Sequence, residues 1–114
     1  MHTVVETRAY LAAADTAGLS DVERADVVTR YAGDPQAGEM MPGCGGARKL
    51  RVRRAGGGKS GGYRVISYFA GPDRPVFLLT VFGKNEKANL NQAERNAIAR
   101  LTKTLADTLD RRMR

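Results

Sequence analysis

Seven cations crowd residues 47–64 with no acid among them: Arg48, Lys49, Arg51, Arg53, Arg54, Lys59 and Arg64. The densest stretch, Arg48-Lys49-Leu50-Arg51-Val52-Arg53-Arg54, alternates charge with apolar bulk. In an extended strand, successive side chains leave opposite faces. Leu50 and Val52 then point one way, and Lys49, Arg51 and Arg53 the other. Strands do not need such a face in order to pair. Pinned on a sheet rather than loose in a tail, it concentrates positive potential and attracts polyanions. Function is therefore expected on this face, in preference to a merely solvated surface.

Other chemistries lack their parts. Gly58-Lys59-Ser60 looks like the end of a phosphate-binding loop. That motif needs a glycine where Arg53 stands and a helix after the serine, where Gly61-Gly62 and a β-prone run follow. Cys44 has no Cys or His at ligand spacing and His2 has no partner, so no metal site and no cofactor is expected. No internal His is available as base for a Ser or Cys nucleophile. A single Cys cannot close an internal disulfide and fits a reducing compartment. No apolar run approaches the about 20 residues that span a bilayer. The N-terminus also lacks the charged-then-apolar order of a signal peptide. A soluble, cytoplasmic protein with no membrane partner is expected.

The cationic run must be held by neighbouring elements, and these can be read. Tyr63-Arg64-Val65-Ile66-Ser67-Tyr68-Phe69-Ala70 and Val76-Phe77-Leu78-Leu79-Thr80-Val81-Phe82-Gly83-Lys84 are further β-rich runs, each bounded by Gly or Pro. Together the three predict an antiparallel meander with a glycine-rich tip at residues 56–62. The third run is apolar almost throughout, which suits a central strand covered on both faces. Ahead of them, Thr3-Val4-Val5-Glu6 suits an edge strand. Residues 7–17 suit a helix with Tyr10, Leu11 and Ala14 on one face and Gly18 as its stop. Ser20-Asp21-Val22-Glu23 is a capping box opening a second helix to about Ala32, with Val22, Ala25, Val28 and Tyr31 on or beside its buried face. Residues 33–46 read as irregular. Asn91-Gln92-Ala93-Glu94 repeats the capping logic before a last helix whose apolar positions are Ala97, Ile98, Leu101, Leu105 and Leu109. The length of 114 residues fits one domain over 1–114. The fold class expected is α+β: a small antiparallel meander sheet with two N-terminal helices and one C-terminal helix.

Charge is distributed unevenly along this order. Residues 1–46 hold three arginines against seven acids, net −4; residues 47–64 are net +7; residues 65–114 hold nine cations against five acids, net +4. Between Glu39 and Asp73 there is no carboxylate.

Several of these features together resemble the RelE/HigB family of toxins from bacterial toxin–antitoxin pairs, the HigB-like branch most of all. They are two short helices, Gly45-Gly46-x-Arg48-Lys49-x-Arg51-Val52, a Lys/Gly hairpin, Gly62-Tyr63-Arg64-Val65-Ile66 and Gly83-Lys84-Asn85-Glu86. The resemblance covers about residues 1–110, with Arg48–Glu86 its specific part. It implies a compact RelE-like α+β fold and a metal-independent, ribosome-dependent endoribonuclease that cuts mRNA and inhibits translation. It also implies silencing by a cognate antitoxin with a helix-turn-helix DNA-binding domain. Partners are then the antitoxin, the ribosome and mRNA.

Residue by residue, the resemblance implies Lys49, Arg51, Arg64 and Lys84 as the catalytic set, with Asn85 beside Lys84 contacting RNA; Arg48, Arg53 and Lys59, as further cations, and Tyr63, as the available aromatic, are expected to contact RNA as well. Relatives place a tyrosine a few residues after the third strand; this chain has Lys87, Ala88, Asn89 and Leu90 there. Cleavage by the RNA's own 2′-hydroxyl needs a base, an acid and cations around the phosphate. Arginine cannot act as the base. Lys49, between Arg48 and Arg51, is the expected base, with Arg51 and Arg64 on the phosphate. Two rivals use the same surface: a non-catalytic RNA- or ribosome-binding module, and a gyrase-directed toxin on the same fold.

Overall fold

A computed structural model of the chain describes residues 1–54, 62–83, 87 and 89–112. The first strand, β1 (Val4–Glu6), leads into helix α1 (Arg8–Ala17) and then α2 (Asp21–Gly33). Thr7 caps α1: its Oγ1 accepts from the Tyr10 amide at 3.1 Å and donates to the Leu78 carbonyl at 2.7 Å, tying the helix start to the sheet. Gly18, at φ 81°, ends the helix. The capping box forms at Ser20, with the Glu23 amide donating to Ser20 Oγ and the Ser20 amide to Glu23 Oε1.

The remaining strands are β2 (Glu39–Met40), β3 (Arg48–Val52), β4 (Tyr63–Phe69) and β5 (Val76–Gly83), followed by helix α3 (Gln92–Arg112). The sheet order is β1-β5-β4-β3-β2. The expected meander β3-β4-β5 is its antiparallel centre. It is extended by β1, parallel to β5 on one edge, and by β2, antiparallel to β3 on the other. Residues 39 and 40 lie in a stretch expected to be irregular. Their pairing with β3 sets them in the sheet by backbone bonding across the loop.

Each face of the sheet carries its own core. Tyr10, Ala14, Val27 and Tyr31 of α1 and α2 pack with Leu50, Tyr63, Val65, Val76, Leu78 and Val81. On the other face, Ile98 and Leu105 of α3 pack with Met41, Cys44, Ala47, Ile66, Leu79 and Phe82. The apolar third run is therefore central and covered on both sides, as expected. Its alternation slips once. Ile66 pairs with Thr80 and Ser67 with Leu78, so Leu79 is an extra residue that turns the rest of β5 over.

The α2 face differs from expectation. Its buried residues are Glu23, Val27 and Tyr31, while Val22 is 66% exposed and Ala25 is exposed. At 3.6 residues per turn, steps of three drift steadily round the helix, and Val22 and Tyr31 end about half a turn apart. Steps of four from Glu23 stay together. On α1, Tyr10 and Ala14 are buried but Leu11 is 37% exposed. On α3, Thr102 is buried whereas Leu101 is 37% exposed. Leu101 borders an open furrow with Ala9, Ala13 and Thr16 of α1.

Among the described residues no helix is long and apolar enough to cross a membrane.

Candidate active site

Register builds the cationic site. Arg51 is the cross-strand partner of Arg64, and Arg64 of Phe82. Lys49 is the partner of Ile66, one row along. Directly paired residues project to the same side of a sheet, and so do residues two apart on one strand. Lys49, Arg51 and Arg64 thus share the α3 face, at the end of the sheet where β3 and β5 finish and β4 begins. Arg51 is exposed, Lys49 half-buried, and Arg64 only 8% exposed. No carboxylate meets any of the three within ion-pair distance among the described residues. Lys49 Nζ donates instead to Asn89 Oδ1 at 3.3 Å, linking β3 to the approach to α3.

The start of α3 forms one wall. The Asn91 amide donates to Glu94 Oε1 at 2.9 Å and the Glu94 amide to Asn91 Oδ1 at 2.8 Å, the capping box expected there. Lys87 ion-pairs with Glu94 and rests its ammonium 5.3 Å from the centre of the Phe82 ring. The Lys87 hydrogen bond, aided by the Asn91 amide, holds the Glu94 carboxyl below the usual range.

The other expected residues fall elsewhere. Arg48 alternates with Lys49 and so belongs to the opposite face; its Nη1 donates to the Gly38 carbonyl at 3.2 Å, a structural bond. Tyr63 is 1% exposed and packs in the α1/α2 core, capped by Arg54, whose guanidinium lies 5.6 Å from the ring centre and whose Nε donates to the phenol. A stacked base has no access to that ring. Arg53 is exposed just beyond β3. Lys59, Lys84 and Asn85 lie outside the described residues.

Sequence reasoning missed Glu39, which the β2–β3 register sets opposite Lys49. A signal was present: Pro42, Gly43, Gly45 and Gly46 between two extended pieces suit a hairpin loop.

A family model for the RelE toxin of the RelE/RelB toxin–antitoxin system matches residues 4–114. The chain belongs to the RelE toxin family. It is therefore the toxin of a toxin–antitoxin system, in a family of mRNA-cleaving toxins, with a RelB-type antitoxin as its cognate partner. The match runs through the whole sheet and all three helices, so the cationic face lies within the matched toxin domain.

Proposed function

We propose that this RelE-family toxin is a ribosome-dependent endoribonuclease that cuts mRNA and so halts translation. The carrying observation is Arg64: nearly buried, opposite Arg51, and without a carboxylate partner among the described residues. A cation taken out of water is costly unless an anion meets it. A phosphate entering this face would supply that anion, and a guanidinium grips two phosphate oxygens at once. Arg51 and Arg64 then stabilise the charge that builds on the phosphate, and Lys49 adds a group able to exchange protons. Positioning of the RNA strand by the ribosome then supplies the orientation that this chemistry needs. The Gly45–Val52 and Gly62–Ile66 segments support the HigB-like branch and an antitoxin with a helix-turn-helix domain.

The test is induction of the toxin in cells with RNA 5′ ends mapped, beside the Arg64→Ala variant. Wild type is expected to create ends inside translated mRNA. The variant is expected to lose about 100-fold or more in cleavage rate while its circular dichroism and melting stay native. Growth arrest without new RNA ends would overturn the nuclease in favour of a binding module, and DNA damage would point to gyrase.

A further inference from the structure

One carboxylate stands beside the cationic face. Glu39 is the cross-strand partner of Lys49 and projects to the same side of the sheet. It is exposed and makes no hydrogen bond or ion pair among the described residues. Several local features hold it there. Gly38 has φ +96°, and a Cβ on it would lie 2.5 Å from the Lys49 carbonyl oxygen, so only glycine lets β2 come this close. The Arg48 guanidinium fastens the Gly38 carbonyl from the other face, and the Met41 amide donates to the Ala47 carbonyl at 2.9 Å to close the hairpin. Lys49 turns to Asn89 and leaves Glu39 unpaired.

A carboxylate weakens a face that only binds phosphate, because like charges repel. Its place here fits a part in the chemistry. RNA self-cleavage has one vacancy that cations fill poorly: acceptance of the 2′-hydroxyl proton. Arginine cannot do it, and a lysine must first lose its own proton. A carboxylate is an acceptor at neutral pH. Glu94, another carboxylate on this side, is occupied by the α3 cap and Lys87.

We propose that Glu39 is the general base of cleavage and Lys49 the general acid, the reverse of the role first expected for Lys49; this rests on the endoribonuclease reading above. The Glu39 carboxylate takes the 2′-hydroxyl proton as the 2′-oxygen bonds to phosphorus. The bond from phosphorus to the 5′-oxygen breaks, and the Lys49 ammonium protonates that oxygen. Products are a 2′,3′-cyclic phosphate and a 5′-hydroxyl. The proton then returns from Glu39 to Lys49, so no co-reactant is consumed.

The test is single-turnover cleavage of mRNA on programmed ribosomes by the full chain. One substrate carries the ordinary 5′-bridging oxygen at the cut site; a second carries sulfur there, which leaves without protonation. Glu39→Gln is expected to slow cleavage of both by about 10²–10⁴-fold, with ribosome binding and melting unchanged, and Glu39→Asp to recover part of the rate. Lys49→Ala is expected to fail on oxygen and recover on sulfur. A Glu39→Gln variant cleaving the oxygen substrate at the wild-type rate would overturn the proposal. So would recovery of that variant on sulfur, which would place Glu39 at the leaving group. Wild type cutting neither substrate would overturn the nuclease reading itself, and this assignment with it.

Discussion

On the proposed function, Arg64 is a nearly buried cation held for an incoming anion. A nearly buried guanidinium without a counter-charge among the described residues should be relieved by any phosphate-like ion. Sulfate is expected to raise the melting temperature of wild type more than that of Arg64→Met. In sulfate-free buffer, Arg64→Met is expected to be the more stable by about 1 kcal/mol while losing cleavage; denaturant midpoints and the ribosome assay check the two halves. Residues in the α1/α2 core give a second expectation. Burial pushes the Tyr10 phenol to about 12, with Glu6 reinforcing, and burial pushes Tyr31 to about 12 against a weaker opposing pull from Ser67. Unfolded phenols ionise near 10. Between these values the unfolded chain has released protons that the folded chain retains. This contribution to stability is whole below about pH 10 and is lost as pH rises through about 12. Absorbance at the tyrosinate band should show these two ionising only together with alkaline unfolding; early titration of both would contradict their burial. At this scale the sequence was partly legible. Alternation put Lys49 and Arg51 on one face, and the same rule, applied from Arg64 to its neighbour, would have turned Tyr63 inward. Glu39 was missed although the turn residues Pro42 to Gly46 hint at its hairpin, because its exact place depends on register with a partner ten residues away.

Elements were legible where a local rule decides them. Both capping boxes form as their residues suggest, since Ser20 with Glu23 and Asn91 with Glu94 satisfy orphan helix amides within four residues. The meander follows from its turns and from alternation. What failed was rotation: the helix faces at Val22, Leu11 and Leu101 were set by where α1, α2 and α3 lie on a sheet whose extra edge strands were not foreseen or not paired in advance. The loop between β2 and β3 was read as irregular, yet it is tightly built. Gly45 adopts φ +66°, and a Cβ there would overlap Thr102 Oγ1 on α3. Gly45→Ala should therefore cost about 2–4 kcal/mol from backbone strain and overlap together. Thr102→Ala removes the overlapping oxygen but not the strain. The double variant is expected to recover part of the loss, with a coupling of about 1 kcal/mol in a double-mutant cycle read from denaturant midpoints. Strict additivity would mean that Gly45 and Thr102 do not touch in solution.

At the scale of the molecule, positive charge is concentrated on one face of the sheet. Helices α1 and α2, residues 8–33, hold three arginines against four acids and pack on one face of the sheet, while the Lys49, Arg51 and Arg64 face lies on the other. In the field of a polyanion such a body is turned as well as attracted, with the cationic face leading. Attraction between exposed charges fades beyond about 10 Å at 0.1 M salt, whereas contacts made inside the bound complex are screened far less. Salt should therefore act on encounter more than on chemistry. Raising salt at fixed magnesium is expected to lower kcat/KM for cleavage on ribosomes steeply and to leave the saturating single-turnover rate nearly unchanged. Each phosphate-contacting cation removed should flatten the logarithmic slope by about 0.7–0.9, so Arg51→Ala and Arg53→Ala can be ranked by their slopes. Arg53 is exposed beyond the strand and is expected to change the slope while sparing the saturating rate; Arg51 should change both. A salt response unaltered by either substitution would mean that another surface carries the encounter, and that the cationic face acts only after docking.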